Sequence, residues 1–257
     1  MILLELHNVT KEYPLRTRRK SLFKPNLHFQ AVKQVNLTLK KGESLGLVGE
    51  SGSGKSTLAK LIMRIDPLTS GQILLNGQSI NGDQMDDLEI YKRMQLVLQD
   101  SSSSLHPKMR VKEILEEPIR NYFPNEKNAW EATCLKLLKW VGLDSSFLSR
   151  YSYQLSGGQK QRVCIAKALA VKPEIIIFDE SIASLDEPSQ SSIINMLKRI
   201  QKKEQLSFLF ITHDLKSTRH LCDRVTIMYQ GELVETFRWD FQQLNHPYSR
   251  LLFQNID

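Results

Sequence analysis

The sequence predicts an α/β fold in which a parallel-sheet core carries an antiparallel β subdomain and a helical subdomain. Three observations point there. SLGLV at 44–48, EIIIF at 174–178 and LSFLFI at 206–211 are short apolar runs, each followed by polar residues and then helical spacing, as buried parallel strands with crossover helices require. Asn76-Gly77 and Gln230-Gly231 interrupt apolar stretches in the manner of hairpin turns. Between Val111 and Val141 the apolar spacing becomes helical.

Taken along the chain, the strand at 44–48 opens into GESGSGKS, and KSTLAKLIMRI then keeps helical spacing until Asp66-Pro67 stops it. QILLNGQSI (72–80) reads as a hairpin. VKEILEEPIRNYF (111–123) and NAWEATCLKLLKWV (128–141) read as helices, the second stopped by Gly142, and together look like a helical insertion. Two further strands follow at 174–178 and 206–211, then the hairpin VTIMYQGELVETF (225–237). No internal repeat or coiled-coil pattern interrupts this order.

A length of 257 residues admits one large α/β domain or two small ones and is enough to bury a real core. With 41% hydrophobic and 25% charged residues, the composition excludes disordered and fibrous classes. No apolar run approaches the roughly 20 residues of a membrane-spanning helix. MILLELHNVTKEY has neither a basic leader nor a small-residue cleavage site, so a chain that stays in the cytosol is expected. Cys134, Cys164 and Cys222 lack C-x-x-C spacing and are odd in number, which fits reduced core thiols better than disulfides or a metal site. A net charge of +7 suits an acidic partner, either nucleic acid or an anionic membrane surface. Part of the excess sits in RTRRKSLFK, Arg16 to Lys24, read as a solvated loop beside a membrane.

Three motifs carry chemistry. GESGSGKS matches G-x-x-x-x-G-K-[ST] between a strand and a helix: its glycines let backbone N–H groups curl around phosphate, Lys55 reaches the β- and γ-phosphates, and the Ser56 hydroxyl binds Mg²⁺. The expected nucleotide contacts are Gly49, Glu50, Ser51, Gly52, Ser53, Gly54, Lys55, Ser56 and Thr57. EIIIFDE delivers Asp179 to the Mg²⁺ shell and places Glu180 to orient or deprotonate the attacking water. In LSGGQKQR, Ser156 caps a helix while Gly157 and Gly158 allow close backbone approach to an anion, a second phosphate grip. One nucleotide needs one such grip, so the second is intelligible if two subunits sandwich each ATP.

LSGGQ lying between a P-loop and a DE-ended strand resembles the ATP-binding cassette family, the motor subunits of ABC transporters, over nearly the whole chain. That resemblance implies a P-loop NTPase (RecA-like) core at about 1–98 and 160–240 with the antiparallel β subdomain, a helical subdomain at about 100–159 and a short tail at 241–257, all one ATP-binding domain. It implies that Ser156, Gly157, Gly158 and Gln159 contact the γ-phosphate of ATP held by a partner subunit. Ser184-Leu185-Asp186 match the D-loop at the dimer interface, with Asp186 among the expected nucleotide-side residues. His213 in ITHD matches the switch histidine, Tyr13 in VTKEYPL the aromatic that stacks on adenine, and Gln99 in QLVLQ the glutamine that reaches Mg²⁺ and the attacking water. DSSSSLHPKMRV after it is similar to the D-P-x-x-S-L-N-P-R-M-T-V segment of peptide and nickel importers, with Ser101 in place of Pro and His106 in place of Asn; it is expected to hinge the helical subdomain against the permease.

The stretches at 31–57, 154–173 (QLSGGQKQRVCIAKALAVKP) and HPYSRLLF at 246–253 resemble the second ATPase of oligopeptide, dipeptide and nickel systems. The second stretch, and the absence of a Cys-rich tail after Asp257, tilt the expected cargo from peptides toward nickel or a metal-chelate. The implied assembly has a second, different ABC ATPase, two transmembrane permease subunits and, indirectly, an extracytoplasmic substrate-binding protein, at the cytoplasmic side of the cell membrane, with no nucleic acid. Two cassettes close over two ATP molecules. The rival readings are an exporter motor, set aside on the segment from Gln99 to Met109 and HPYSRLLF, and a cassette acting on nucleic acid or the ribosome, which would carry coiled-coil or zinc insertions or two fused cassettes.

Overall fold

The structure is a computed structural model that describes residues 1–15, 28–82, 85–182, 186–239 and 244–254, apart from the side chains of residues 101 and 102. The basic segment Arg16 to Lys24, together with Ser184 and Leu185, lies outside the described residues.

The apolar runs become the central strands of a six-stranded sheet. β3 (Ser44–Val48) and β8 (Ser207–Thr212) are buried along their whole length, and β7 (Ile175–Asp179) is buried up to Asp179. With β6 (Met94–Val97), β9 (Arg224–Tyr229) and β10 (Glu232–Phe237) the order is β10-β9-β3-β8-β7-β6, parallel at every pair except β9 with β10. The hairpin at Gln230-Gly231 therefore belongs to the core sheet, because β9 pairs in parallel with β3. A separate antiparallel sheet is built from β1 (Ile2–Pro14), β2 (His28–Lys40), β4 (Ser70–Leu75) and β5 (Gln78–Ser79) in the order β2-β1-β4-β5.

The two-residue period of the strands divides the interior. Leu45, Leu47, Ile175, Ile177, Leu209 and Ile211 pack with the antiparallel sheet and with α1 (Lys55–Ile62). Ile176, Phe178, Phe208 and Phe210 pack on the opposite face with α6 (Gly157–Leu169) and α7 (Glu187–Glu204), where the Phe178 ring meets both Phe208 and Phe210 at 5.3 Å between centroids. Burying each such ring is worth about 1.5–3 kcal/mol, so the two faces anchor the strand ends that carry the polar loops.

Helix α1 stops before Asp66-Pro67. Arg64 takes a left-handed conformation (φ +54), its N–H donates to Leu61 O at 3.0 Å and Ile65 N–H to Lys60 O at 2.8 Å, the two hydrogen bonds that close a helix in a Schellman motif. The Arg64 guanidinium, bonded to Met85 O at 2.8 Å, holds this end.

After α2 (Asp87–Arg93), the serine run, loop-like in composition, forms a single helical turn, α3 (Ser101–Ser104). Asp100 supplies its start: the hydroxyls of Ser103 and Ser104 donate to Asp100 O at 3.1 and 2.9 Å, and Ser103 N–H donates to Asp100 Oδ1 at 3.2 Å. Composition alone misreads this turn because serine hydroxyls close on the backbone locally. The insertion continues as α4 (Val111–Tyr122) and α5 (Trp130–Trp140), which bury Ile114, Leu115, Ile119, Leu137 and Leu138 in the same cluster as Val163 of α6. Its two ends are stitched together, Val111 N–H to Arg150 O at 2.9 Å and the Ser152 hydroxyl to His106 O at 2.9 Å.

All three cysteines are buried thiols, and burial pushes Cys134 and Cys164 up to about 12. α8 (Leu215–Leu221) follows β8, and α9 (Pro247–Gln254) packs Phe253 against Phe237 and Trp239. No described helix is long and apolar enough to cross a membrane.

Candidate functional site

The loop between β3 and α1 lies directly on neighbouring backbone. A Cβ on Gly49 would stand 2.1 Å from Met228 O, and one on Gly54, whose φ is +109, would stand 2.3 Å from Ala31 O. Only glycine fits either place, which leaves the loop curled so that α1 starts at its rim. Gly231 N–H donates to Ser53 O at 2.9 Å, tying the loop to the β9–β10 turn. Within it, Lys55 Nζ donates to Gly49 O at 2.7 Å and Glu50 O at 2.8 Å and lies 3.5 Å from Ser53 Oγ. Burial lowers the Lys55 pKa, opposed by the charges of Glu180, Asp179 and Glu50.

One cleft of about 430 Å³ gathers Ser51, Gly52, Gly54, Lys55, Ser56, Thr57, Gln99, Asp179 and Glu180. Strand ends do this: Asp179 closes β7, Glu180 follows it, and Gln99 lies two residues past β6 in the neighbouring position of the same sheet. The Ser56 hydroxyl donates to Asp179 Oδ1 at 3.1 Å. Burial raises the Asp179 pKa, with the Ser56 hydrogen bond and Lys55 opposing and Glu180 adding to the rise. Glu180 is a non-glycine residue in the left-handed region, φ +48, held by its N–H on Ile211 O at 2.9 Å; its Oε1 lies 3.5 Å from Nδ1 of the exposed His213. Strain of about 1–3 kcal/mol is commonly stored at such positions in working sites.

The residues fit a triphosphate with Mg²⁺. The cradle is open where a ligand would enter, for nothing lies within 4 Å of a Cβ at Gly52. Among the described residues no group of three or more His, Cys, Asp or Glu side chains could hold a metal. Asp179 with Ser56 offers two hard oxygens, the partial shell Mg²⁺ takes when phosphates and water complete it.

Other expected residues stand apart from the cleft. Tyr13 is half-buried beside it, its hydroxyl donating to Asp66 Oδ2 at 2.9 Å; its pKa is raised by burial and then by Asp66. Ser156 and Gln159 form a reciprocal cap at the start of α6, Gln159 N–H to Ser156 Oγ at 3.4 Å and Ser156 N–H to Gln159 Oε1 at 3.0 Å, with Gly157 and Gly158 in the first turn. These four residues do not line the cleft. Asp186 caps α7, accepting from Ser189 N–H at 3.1 Å, and that bond lowers its pKa.

Two further residues near the loop are not among the expected site residues, although Tyr248 lies within the HPYSRLLF motif. Phe29 lines the same cleft and is Tyr13's partner across the β1–β2 ladder. The Tyr248 hydroxyl accepts from the Glu50 N–H at 3.0 Å, a contact between residues 198 positions apart. A side chain bonded to distant backbone leaves no local pattern.

The family model described as ABC transporter matches residues 32–183. The oligopeptide transport ATP-binding protein OppF of Lactococcus lactis subsp. lactis (strain IL1403) is 39% identical over 257 residues, covering 99% of this chain and 80% of that protein. The oligopeptide transport ATP-binding protein AppF of Bacillus subtilis (strain 168) is 39% identical over 259 residues, covering 99% and 78%. Among solved structures, the ATP-binding cassette MJ0796, a dimer bound to ADP and Pi in a post-hydrolysis state, superposes with a TM-score of 0.78 at 30% identity over 93% of this chain and 100% of that one. The fold is shared also with cbiO1 from Clostridium perfringens, part of the ABC transporter complex cbiONQ, at a TM-score of 0.79, 24% identity and coverage of 99% and 92%.

Proposed function

The chain belongs to the ABC transporter family as an ATP-hydrolysing cassette, and from that premise we propose that it powers the uptake of peptides by an importer, docked on permease subunits at the inner face of a membrane. The cargo reading is supported by the oligopeptide relatives, whose similarity spans 99% of this chain. Nickel or a metal-chelate, expected from the likeness of 154–173 and the lack of a Cys-rich tail, finds no support in those relatives, both oligopeptide transport proteins.

The observation that carries the mechanism is the convergence of Lys55, Ser56, Gln99, Asp179 and Glu180 on one cleft. Loop N–H groups and Lys55, released from the Gly49 and Glu50 carbonyls, hold the phosphates of ATP; Phe29 and Tyr13 stand on the side where its base would lie. Asp179, Ser56 and Gln99 would hold Mg²⁺, which neutralises phosphate charge when bound. Glu180 takes the proton of the water that attacks the γ-phosphorus, and His213, 3.5 Å from its carboxylate, orients it. Positioning and charge neutralisation do most of the work.

The start of α6 supports a sandwich of two cassettes; that the second is a different ATPase rests on the resemblance to oligopeptide, dipeptide and nickel systems. A Cβ on Gly158 would meet only the Ser189 side chain, Oγ at 3.7 Å and Cβ at 3.9 Å, ordinary contact, so nothing among the described residues calls for a glycine there. A phosphate presented by another subunit does. Closure of the pair moves the helical subdomain at about 100–159 and with it the permease, and hydrolysis resets the cycle.

Two measurements test this reading. Glu180→Gln should bind ATP like the wild type and hydrolyse it about 10²–10⁴-fold more slowly, the usual contribution of a general base; wild-type turnover would remove Glu180 from its role. In the co-purified complex, peptide-loaded binding protein should stimulate ATPase activity, and stimulation by nickel-loaded protein alone would reassign the cargo.

A further inference from the structure

Helix α9 and the HPYSRLLF motif lie beyond the residues that the family model matches, yet one of their side chains reaches into the phosphate loop. The Glu50 N–H does not curl toward the cleft. It donates to the Tyr248 hydroxyl at 3.0 Å, while the Glu50 carbonyl accepts from Lys55 Nζ at 2.8 Å and from Ser53 N–H at 3.2 Å. Tyr248 is fixed on its other sides. It is 7% exposed, and its ring stacks on Tyr229 with 4.2 Å between centroids. Its own N–H donates to His246 Nδ1 at 3.2 Å, and Glu235 of β10 receives the N–H groups of Asn245 at 2.7 Å and His246 at 3.4 Å. The hydroxyl is thus a rigidly mounted acceptor aimed at one backbone donor of the loop.

We propose that Tyr248 is a positioning residue for the phosphate-binding loop, its hydroxyl clamping the Glu50 N–H so that the curl at 49–54 keeps its shape before nucleotide arrives. The loop then has two external fastenings, Tyr248 at Glu50 and the Gly231 N–H at Ser53 O. Preorganisation of this kind lowers the cost of ordering the loop on binding. The proposal rests on the reading of 49–57 as the ATP site.

The test measures Mg²⁺-ATP affinity of the full chain by calorimetry. Tyr248→Phe keeps the ring on Tyr229 and removes only the acceptor; it should raise Kd about 3–10-fold, the loss expected for one hydrogen bond. Amide exchange at 49–54 without nucleotide should quicken in the same variant. Glu50→Pro removes the donor itself, and in that background Tyr248→Phe should cost no further affinity. Wild-type Kd and exchange in Tyr248→Phe would overturn the proposal, as would an equal loss in both backgrounds, which would mean that Tyr248 acts through helix packing alone. Lys55→Ala separates the two readings: if the wild type binds and Lys55→Ala does not, the ATP site stands whatever Tyr248 does, whereas no binding by the wild type would overturn both.

Discussion

Asp179 carries its charge against the preference of the fold. Burial, with the Glu180 charge adding to it, raises its pKa against the opposing Ser56 hydrogen bond and the charges of Lys55 and Lys60, so the folded chain favours the protonated acid relative to the unfolded chain. The stability this contributes is complete below the unfolded-state pKa and is lost as pH rises through the folded one; above that, the carboxylate is a cost. A metal-binding role explains why the cost is kept, since a cation would reverse the local balance. Asp179→Asn keeps an oxygen for the Ser56 hydroxyl and removes the charge. The variant should therefore melt higher than the wild type at neutral pH, on the order of 2–4 °C for about 1 kcal/mol in a chain of this size. The gap should close as the pH falls below the carboxylate range. Thermal melts at several pH values would detect it, and a gap that does not depend on pH would show that charge is not its cause. The same variant should lose ATP hydrolysis, so stability and activity move in opposite directions at this residue.

The start of α6 shows how an element can be legible and its purpose not. Ser156 and Gln159 cap each other's N–H groups, so Ser156→Ala should cost about 1 kcal/mol in urea unfolding with an unchanged slope. That cap is readable from S-G-G-Q alone. So are β3, β7 and β8, because strands buried on both faces are uninterrupted apolar runs. The long strands β1 and β2 are not readable: their register shifts at four points, between Ile2 and Leu4 and again up to Lys11 and Glu12, so the alternation that marks a half-buried strand is broken. The hairpin at Gln230-Gly231 was legible as a turn, yet its sheet was not, since pairing with β3 joins residues far apart in sequence. In the cleft, Lys55, Ser56, Asp179 and Glu180 follow from motif spacing, whereas Phe29 is visible only once β2 is laid beside β1.

At the scale of the whole molecule, one chain holds a glycine-rich loop at 49–57, the proposed phosphate cradle, and a capped helix start at 156–159 that does not line the same cleft. Among the described residues, nothing around Gly158 calls for a glycine. Gly158 has no positive φ, a Cβ there would touch nothing closer than Ser189 Oγ at 3.7 Å, and a glycine in the first turn of a helix costs conformational entropy. A carboxylate at the same place would also interact favourably with the helix N-terminus, by about 0.3–1 kcal/mol. Gly158→Asp should therefore leave the isolated chain at least as stable as the wild type and leave its Mg²⁺-ATP affinity unchanged. In the assembled transporter the same carboxylate would face the phosphates held by the other cassette, and like charges at close range oppose closure. ATPase activity of the complex should fall by at least about tenfold, which corresponds to roughly 1.4 kcal/mol of lost transition-state stabilisation. Full activity of the complex would place no second nucleotide at α6, while a destabilised isolated chain would give Gly158 a purpose inside its own fold. Only the combination of intact monomer and failed complex assigns Gly158 to a neighbour.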